Sequence, residues 1–210
     1  MVNVPYNKQR TALLVIDPYN DCMSEGGKVW DRLKAVAEAN RCVPHMVQVL
    51  QAARQAGLHV CYALHRRYRP GDDETWQYLA PIQEAAWAHK TFAHGTWGGE
   101  IRRECAPQPG DIVALEHGCS SGFANTDLDV QLKQHGIHRL IVIGLLGHTC
   151  VESTVRFAAE LGYEVTVVKD ATASYADAEM HAALAINIPN YARAIVPTHE
   201  VVGALAAVHP

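Results

Sequence analysis

Residues 1–210 predict a single α/β domain with three layers, α/β/α, on a six-stranded, mainly parallel sheet. Three observations lead there. Six short apolar runs recur along the chain without the polar alternation of a half-exposed strand. Amphipathic stretches that stop at Gly or Pro lie between most of them. Most connections are short, and strand–helix alternation of this kind gives parallel strands covered by helices on both faces.

The runs are TALLVID (11–17), HVCYALH (59–65), DIVALEH (111–117), HRLIVIG (138–144), EVTVVKD (164–170) and ARAIV (192–196). After the first, residues 31–56 place Leu33, Val36, Val43, Met46, Val47 and Leu50 in a helical pattern that stops at AGLH. Residues 126–135 predict a helix with Thr126 as N-cap and Gly136 as its stop. Further helices are expected over 149–161, 177–188 and 198–207, the first closed by Gly162 and the second by Pro189. The exception is 66–110, which has no obvious strand. Loops of that length in compact domains are usually lids, binding loops or partner contacts. It reads as an insertion that shapes the site, helical in part over 75–88, rather than as a separate domain.

Composition narrows the function. The chain is 49% apolar with a net charge of −4, and its charged residues are interspersed, so no nucleic-acid partner is expected. The local basic cluster HRRYR (65–69) reads as a solvated loop. The start MVNVPYNKQR lacks the apolar core of an export signal, and no run approaches the ~18 apolar residues of a membrane span. Six cysteines stand at irregular spacings without a CxxC pair, which signals neither a zinc module nor a dithiol redox site. Reduced thiols in the cytoplasm are the expectation.

Polar residues gather where the strands end: Asp17, His65, Glu116–His117, and Cys150 after the fourth run. In a parallel sheet these ends share one side, where ligands bind at the switch point of strand order. Taken alone, Asp17 is an ordinary turn residue and Cys150 an ordinary core thiol. Together they suit acyl transfer. A helix N-terminus favours the thiolate, free backbone N–H groups hold an oxyanion, and a neighbouring carboxylate moves the proton.

ALLVIDPYND (12–21) and SGFANTDLDVQLKQHGIHRLIVIGLLGHTCVESTVRFAAELGYEVTVVKDATAS (121–174), with the spacing between them, resemble the isochorismatase-like cysteine hydrolases, among them nicotinamidases and N-carbamoylsarcosine amidase. The likeness covers roughly residues 10–200, with 66–110 poorly matched. It implies an isochorismatase-like, Rossmann-like fold, Cys150 as nucleophile and Asp17 as general base, then acid. The oxyanion hole would come from the N–H groups of Leu146 and Cys150, beside a cis peptide at Leu145–Leu146. It also implies a homo-oligomer, a dimer or tetramer.

The chain departs from that pattern at one point. The family's lysine, six residues before the Phe of the S-x-F segment, is absent from VALEHGCSSGF; counting back from Phe123 lands on His117. A loop longer by two residues would give Leu115 instead. His117 is read as the surrogate cation, beside two alternatives: an altered or lapsed activity, or a lysine from elsewhere such as Lys90 or Lys133. Glu116, on the opposite face of a regular strand, cannot replace a cation. The Asp/His metal cluster of nicotinamidases has no match in LHRRYRPGDD, where Asp72 and Asp73 read as solvated, so no metal or cofactor is expected. Tyr19, Asn20, His65, Arg66, Phe92, Trp97 and His148 are the candidate substrate contacts, with His94 nearby in the same aromatic loop. The expected activity is metal-independent hydrolysis of a small amide, ureide or related C–N bond through an acyl-thioester at Cys150. The alternatives are an isochorismatase-type hydrolase or a member that binds a ligand or partner without catalysis.

Overall fold

A computed structural model describes the protein over residues 6–72 and 74–207. Its strands are β1 (Thr11–Ile16), β2 (His59–Ala63), β3 (Ile112–Val113), β4 (Arg139–Leu145), β5 (Glu164–Ala173) and β6 (Ala194–Val196). They form one sheet in the order β3-β2-β1-β4-β5-β6, with every pair parallel. The helices are α1 (Asn20–Met23), α2 (Trp30–Ala39), α3 (Cys42–Gln55), α4 (Pro81–Ala88), α5 (Leu128–Gln134), α6 (Glu152–Glu160), α7 (Asp177–His181) and α8 (Thr198–Ala206).

Successive side chains of a strand point to opposite faces, and the two faces carry separate cores. Leu13, Val15, Val60, Tyr62, Ile141 and Ile143 pack with residues of α2, α3 and α8 such as Leu33, Met46, Leu50 and Leu205. Ala12, Leu14, Ile16, Cys61, Leu140 and Val142 pack with Leu128, Leu132, Val155 and Ala158 of α5 and α6. Two buried faces explain why the strand runs are apolar throughout.

Several expectations are corrected in detail. The pattern over 31–56 is two helices, because Arg41 takes a left-handed conformation at φ 51° between α2 and α3. Asp127 holds the cap position of α5 without a side-chain cap, and it is Thr126 whose Oγ1 accepts the Leu128 N–H at 3.3 Å while donating to Gly122 O at 2.6 Å. The helix over 177–188 is α7 followed by a π-helical turn, Ala182–Asn187. Asp73 lies outside the described residues, and Asp72, expected to be solvated, pairs with Arg66 at 3.1 Å.

The third strand differs most. Regular pairing ends at Tyr62↔Val113 and resumes as a single bridge at His65↔His117, so four steps along one chain match three along the other. The extra residue is a bulge, and a one-residue bulge reverses which side chains face inward. Regular continuation of Ile112 and Ala114 would turn Glu116 inward. Instead Leu115 is exposed, its N–H taken by Asp127 Oδ1 at 2.7 Å, and His117 is buried. Glu116 faces Arg67, with an Oε1–Nε distance of 2.6 Å.

Candidate active site

In this strand order the chain moves outward from β1 on one side and from β4 on the other. The switch point lies between those two strands, where open α/β sheets bind their ligands. Gly144 lets the strands meet there. At φ 132° it sits so close to β1 that a Cβ would fall 2.7 Å from Ile16 N. Asp17 follows β1 directly and holds a left-handed conformation, φ 50°, which is uncommon for a residue with a side chain. Its Oδ1 accepts the His65 N–H at 2.6 Å, so β2 fixes the carboxylate that β1 delivers.

Beyond β4 the Leu145–Leu146 peptide is cis, and a π-helical turn, Gly147–Val151, carries the chain into α6. This turn brings Cys150, 7% exposed, to the floor of a cavity of about 340 Å³ that Asp17 also lines. His117 stands behind Asp17 with its side chain fully buried, Nε2 being 3.3 Å from Asp17 Oδ1. That separation is in ion-pair range but off the line of a hydrogen bond, and neither ring nitrogen has a hydrogen-bond partner among the described residues. One donor atom each of Asp17, His117 and Cys150 lie within 4.8 Å of one another.

Electrostatics divide the protons clearly. Burial pushes the Asp17 carboxyl up, but the imidazole of His117, then that of His65, and a hydrogen bond from the Cys150 thiol outweigh it and hold it below its ordinary value. Burial pushes Cys150 well above the ordinary thiol value, and the Asp17 charge and hydrogen bond add to the rise; contacts with Thr149 and the Leu146 backbone oppose it. Both directions favour a thiol beside a carboxylate. Burial and a neighbouring anion here oppose the thiolate-favouring effect of a helix end. Burial also lowers His65.

The candidate substrate contacts separate into two groups. His65, Phe92, His148 and Leu146 line the cavity with Asp17 and Cys150. Tyr19, Asn20, Arg66 and Trp97 do not. Tyr19 is buried beneath, its hydroxyl donating to His65 O at 2.8 Å while its ring stacks on Phe92 at 4.5 Å. Asn20 Nδ2 donates to Trp97 O at 2.8 Å, a contact that anchors the long segment. Arg66 is occupied by Asp72, and the Trp97 ring is half exposed. His94 is exposed too. Lys90 Nζ sits 6.0 Å from the Tyr68 ring and Lys133 pairs with Asp129 at 2.8 Å, so neither supplies the missing cation.

Sequence reasoning missed the rim. Lys28 and Arg32, from the start of α2 and the turn before it, reach the cavity, as do Tyr175 and His89. The Arg32 guanidinium lies 3.9 Å over the Tyr175 ring and pairs with no carboxylate among the described residues. Lys28 Nζ donates to Lys90 O at 2.6 Å. Within its own helix Arg32 looks like an ordinary solvated charge, so only the packing of α2 over the strand ends reveals it.

Comparison with known proteins agrees with this architecture. The family model described as the isochorismatase domain matches residues 11–200. A ureidoacrylate amidohydrolase RutB of Caulobacter segnis is 31% identical, over 99% of this chain and 90% of that protein. Its namesake in Caulobacter vibrioides is 34% identical over 80% and 79%. Among solved structures, a cysteine hydrolase from Pseudomonas syringae pv. phaseolicola superposes with a TM-score of 0.81 at 26% identity, covering 98% and 97% of the two chains. An N-carbamoylsarcosine amidase from Thermoplasma acidophilum does so with 0.65 at 26%, covering 90% and 96%. The chain belongs to the isochorismatase family, as a hydrolase of its cysteine amidohydrolase kind.

Proposed function

We propose that the protein hydrolyses the C–N bond of a small amide or ureide that carries a carboxylate, with Cys150 as nucleophile and Asp17 as its proton carrier. The observation that carries this reading is the geometry of the cavity floor: Asp17 and Cys150 line one cavity with donor atoms within 4.8 Å of each other, and their surroundings favour a carboxylate beside a thiol. A base already charged beside the thiol needs no separate activation step. As sulfur attacks the carbonyl carbon, Asp17 takes the thiol proton; it then returns that proton to the departing nitrogen. The N–H groups of Leu146 and Cys150 receive the oxyanion, a role supported by the contact between the Leu146 backbone and the Cys150 sulfur. Water then resolves the acyl-thioester: Asp17 accepts a proton from the attacking water and passes it to the departing Cys150 sulfur, which restores the thiol and the carboxylate. His117 acts through Asp17 as the cation that holds the carboxylate ionised and oriented.

The rim supports the anionic character of the substrate. Lys28 and Arg32 line the cavity, whereas Asp17 is its one lining acid among the described residues. The names of the relatives, ureidoacrylate amidohydrolase and N-carbamoylsarcosine amidase, both describe a carbamoyl nitrogen on a carboxylic acid. Ammonia release from a panel of N-carbamoyl and ω-amido acids, matched with their neutral esters, tests the substrate class. Mass spectrometry of quenched reactions should find the acyl group on the peptide containing Cys150. Undiminished turnover in Cys150→Ser would overturn the mechanism.

We also infer a cytoplasmic homo-oligomer, dimer or tetramer. Six unpaired cysteines support a reducing compartment. Exposed Val130, Phe157 and Leu161 support an apolar contact on the α5–α6 side. No helix among the described residues is long and apolar enough to cross a membrane.

A further inference from the structure

The groups at the cavity floor have a second chemical capacity. A sulfur, an imidazole nitrogen and a carboxylate oxygen, all from buried residues, lie within 4.8 Å of one another. Tetrahedral zinc sites have bonds of about 2.0–2.3 Å, which place neighbouring donors about 3.3–3.8 Å apart. The Asp17–His117 pair already stands at 3.3 Å. The remaining separations, which involve one sulfur, need to close by about 1.3 Å at most. His117 adds a pointer, because it is 1% exposed, its Nδ1 has no hydrogen-bond partner among the described residues, and its Nε2 has only the ion-pair contact with Asp17. Buried polar atoms are rarely left so. An ammonium group in that place would offer only protons, whereas an imidazole offers a lone pair.

We propose that Asp17, His117 and Cys150 also form a binding site for a thiophilic divalent cation such as Zn2+, with a water from the cavity as fourth ligand. The inference uses the same residues as the proposed hydrolysis but does not depend on that reaction occurring. As the metal binds, the Cys150 thiol proton and the ring proton that makes His117 a cation both leave to solvent, and no electrons are transferred. The donor set excludes hard cations: Mg2+ and Ca2+ prefer oxygen ligands throughout. With sulfur and carboxylate both coordinated, neither attack nor proton transfer is available, so the bound cation is a reversible inhibitor.

The test uses the full chain, stripped with a chelator and titrated with Co2+ as the spectroscopic probe. One Co2+ per chain should give a sulfur-to-cobalt charge-transfer band and the strong visible bands of tetrahedral geometry. One equivalent of Zn2+ should remove both, and Mg2+ should not. Cys150→Ser should lose the charge-transfer band, whereas Cys119→Ser, at another thiol lining the cavity, should keep it. His117→Leu should weaken Zn2+ binding by more than about 100-fold. If that variant does not fold, Asp17→Asn should show a weakening in the same direction. No charge-transfer band in the unmodified protein, or one that survives in Cys150→Ser, overturns the proposal. Because absorption reads the metal without turnover, a chain that binds cobalt but hydrolyses no amide would refute the amidase reading and leave this one standing.

Discussion

The floor and the rim of the cavity are built on opposite principles. The floor consists of Asp17, His117 and Cys150, buried and delivered by the ends of β1, β4 and the chain beyond β3. The rim draws Lys28 and Arg32 from the neighbourhood of α2, and Ile82, Ala85 and His89 from α4 and the residue after it. Lys28, Arg32 and His89 are exposed. Deep burial gives a charged group large effects on its neighbours, while solvent and salt screen an exposed one. The floor is therefore suited to move protons, and the rim to select among substrates.

Substitutions can break that division or sharpen it. The largest effects belong to the floor: Cys150→Ser and Asp17→Asn should each lower kcat by about 10^3-fold or more, measured as ammonia release. His117→Leu should lower kcat by about 10^2-fold with KM little changed, and His117→Lys should recover part of it by restoring a cation. A matching loss in KM would mean His117 touches substrate and does not act through Asp17. At the rim, Arg32→Leu should raise KM for an acidic substrate by about 10-fold, leaving kcat and the hydrolysis of a neutral analogue unchanged. Equal effects on acidic and neutral substrates would end the assignment of the rim to carboxylate recognition.

The smallest effect is on stability against pH. The folded-state pKa of Asp17 lies below its ordinary 3.8. Its ionisation therefore contributes stability that is complete above the unfolded value and is lost as pH falls through the lower folded one. Urea midpoints measured between pH 6 and pH 3 should fall further for the unmodified protein than for Asp17→Asn. Parallel curves would show that the carboxylate is no better stabilised folded than unfolded.

The same contrast governs what could be read from the sequence. The β-strand runs were legible because both faces of the sheet are buried, which leaves long apolar stretches. The positions of Asp17 and Cys150 followed from those strand ends. The inward turn of His117 depends on a bulge that the run DIVALEH does not announce, since Leu115 and Ala114 look equally apolar. The rim was harder still. Trp97 and Arg66 have the chemistry of pocket residues and lie elsewhere, whereas Lys28 and Arg32 have the chemistry of surface residues and lie at the cavity. Helix placement over a sheet is a tertiary property, and local pattern carries little of it.

The long segment, like the turn before α2, is tied to the residues that follow Asp17 by a few stitches. Asp21 accepts the backbone N–H groups of Lys28 and Phe92 at 3.0 and 2.7 Å. The Asn20 N–H donates to Glu100 O at 2.9 Å, and Tyr19 bridges Ile101. These particular fastenings engage main-chain atoms of the segment, and the N–H among them is offered by every residue except proline. Exposed side chains between them, such as His94, can therefore change with little effect on the attachment, whereas Gly98, packed against Asp21, cannot. For descendants of such a gene, this is a licence to exchange one diet for another: the part that chooses the meal can drift while the part that digests it stays in place.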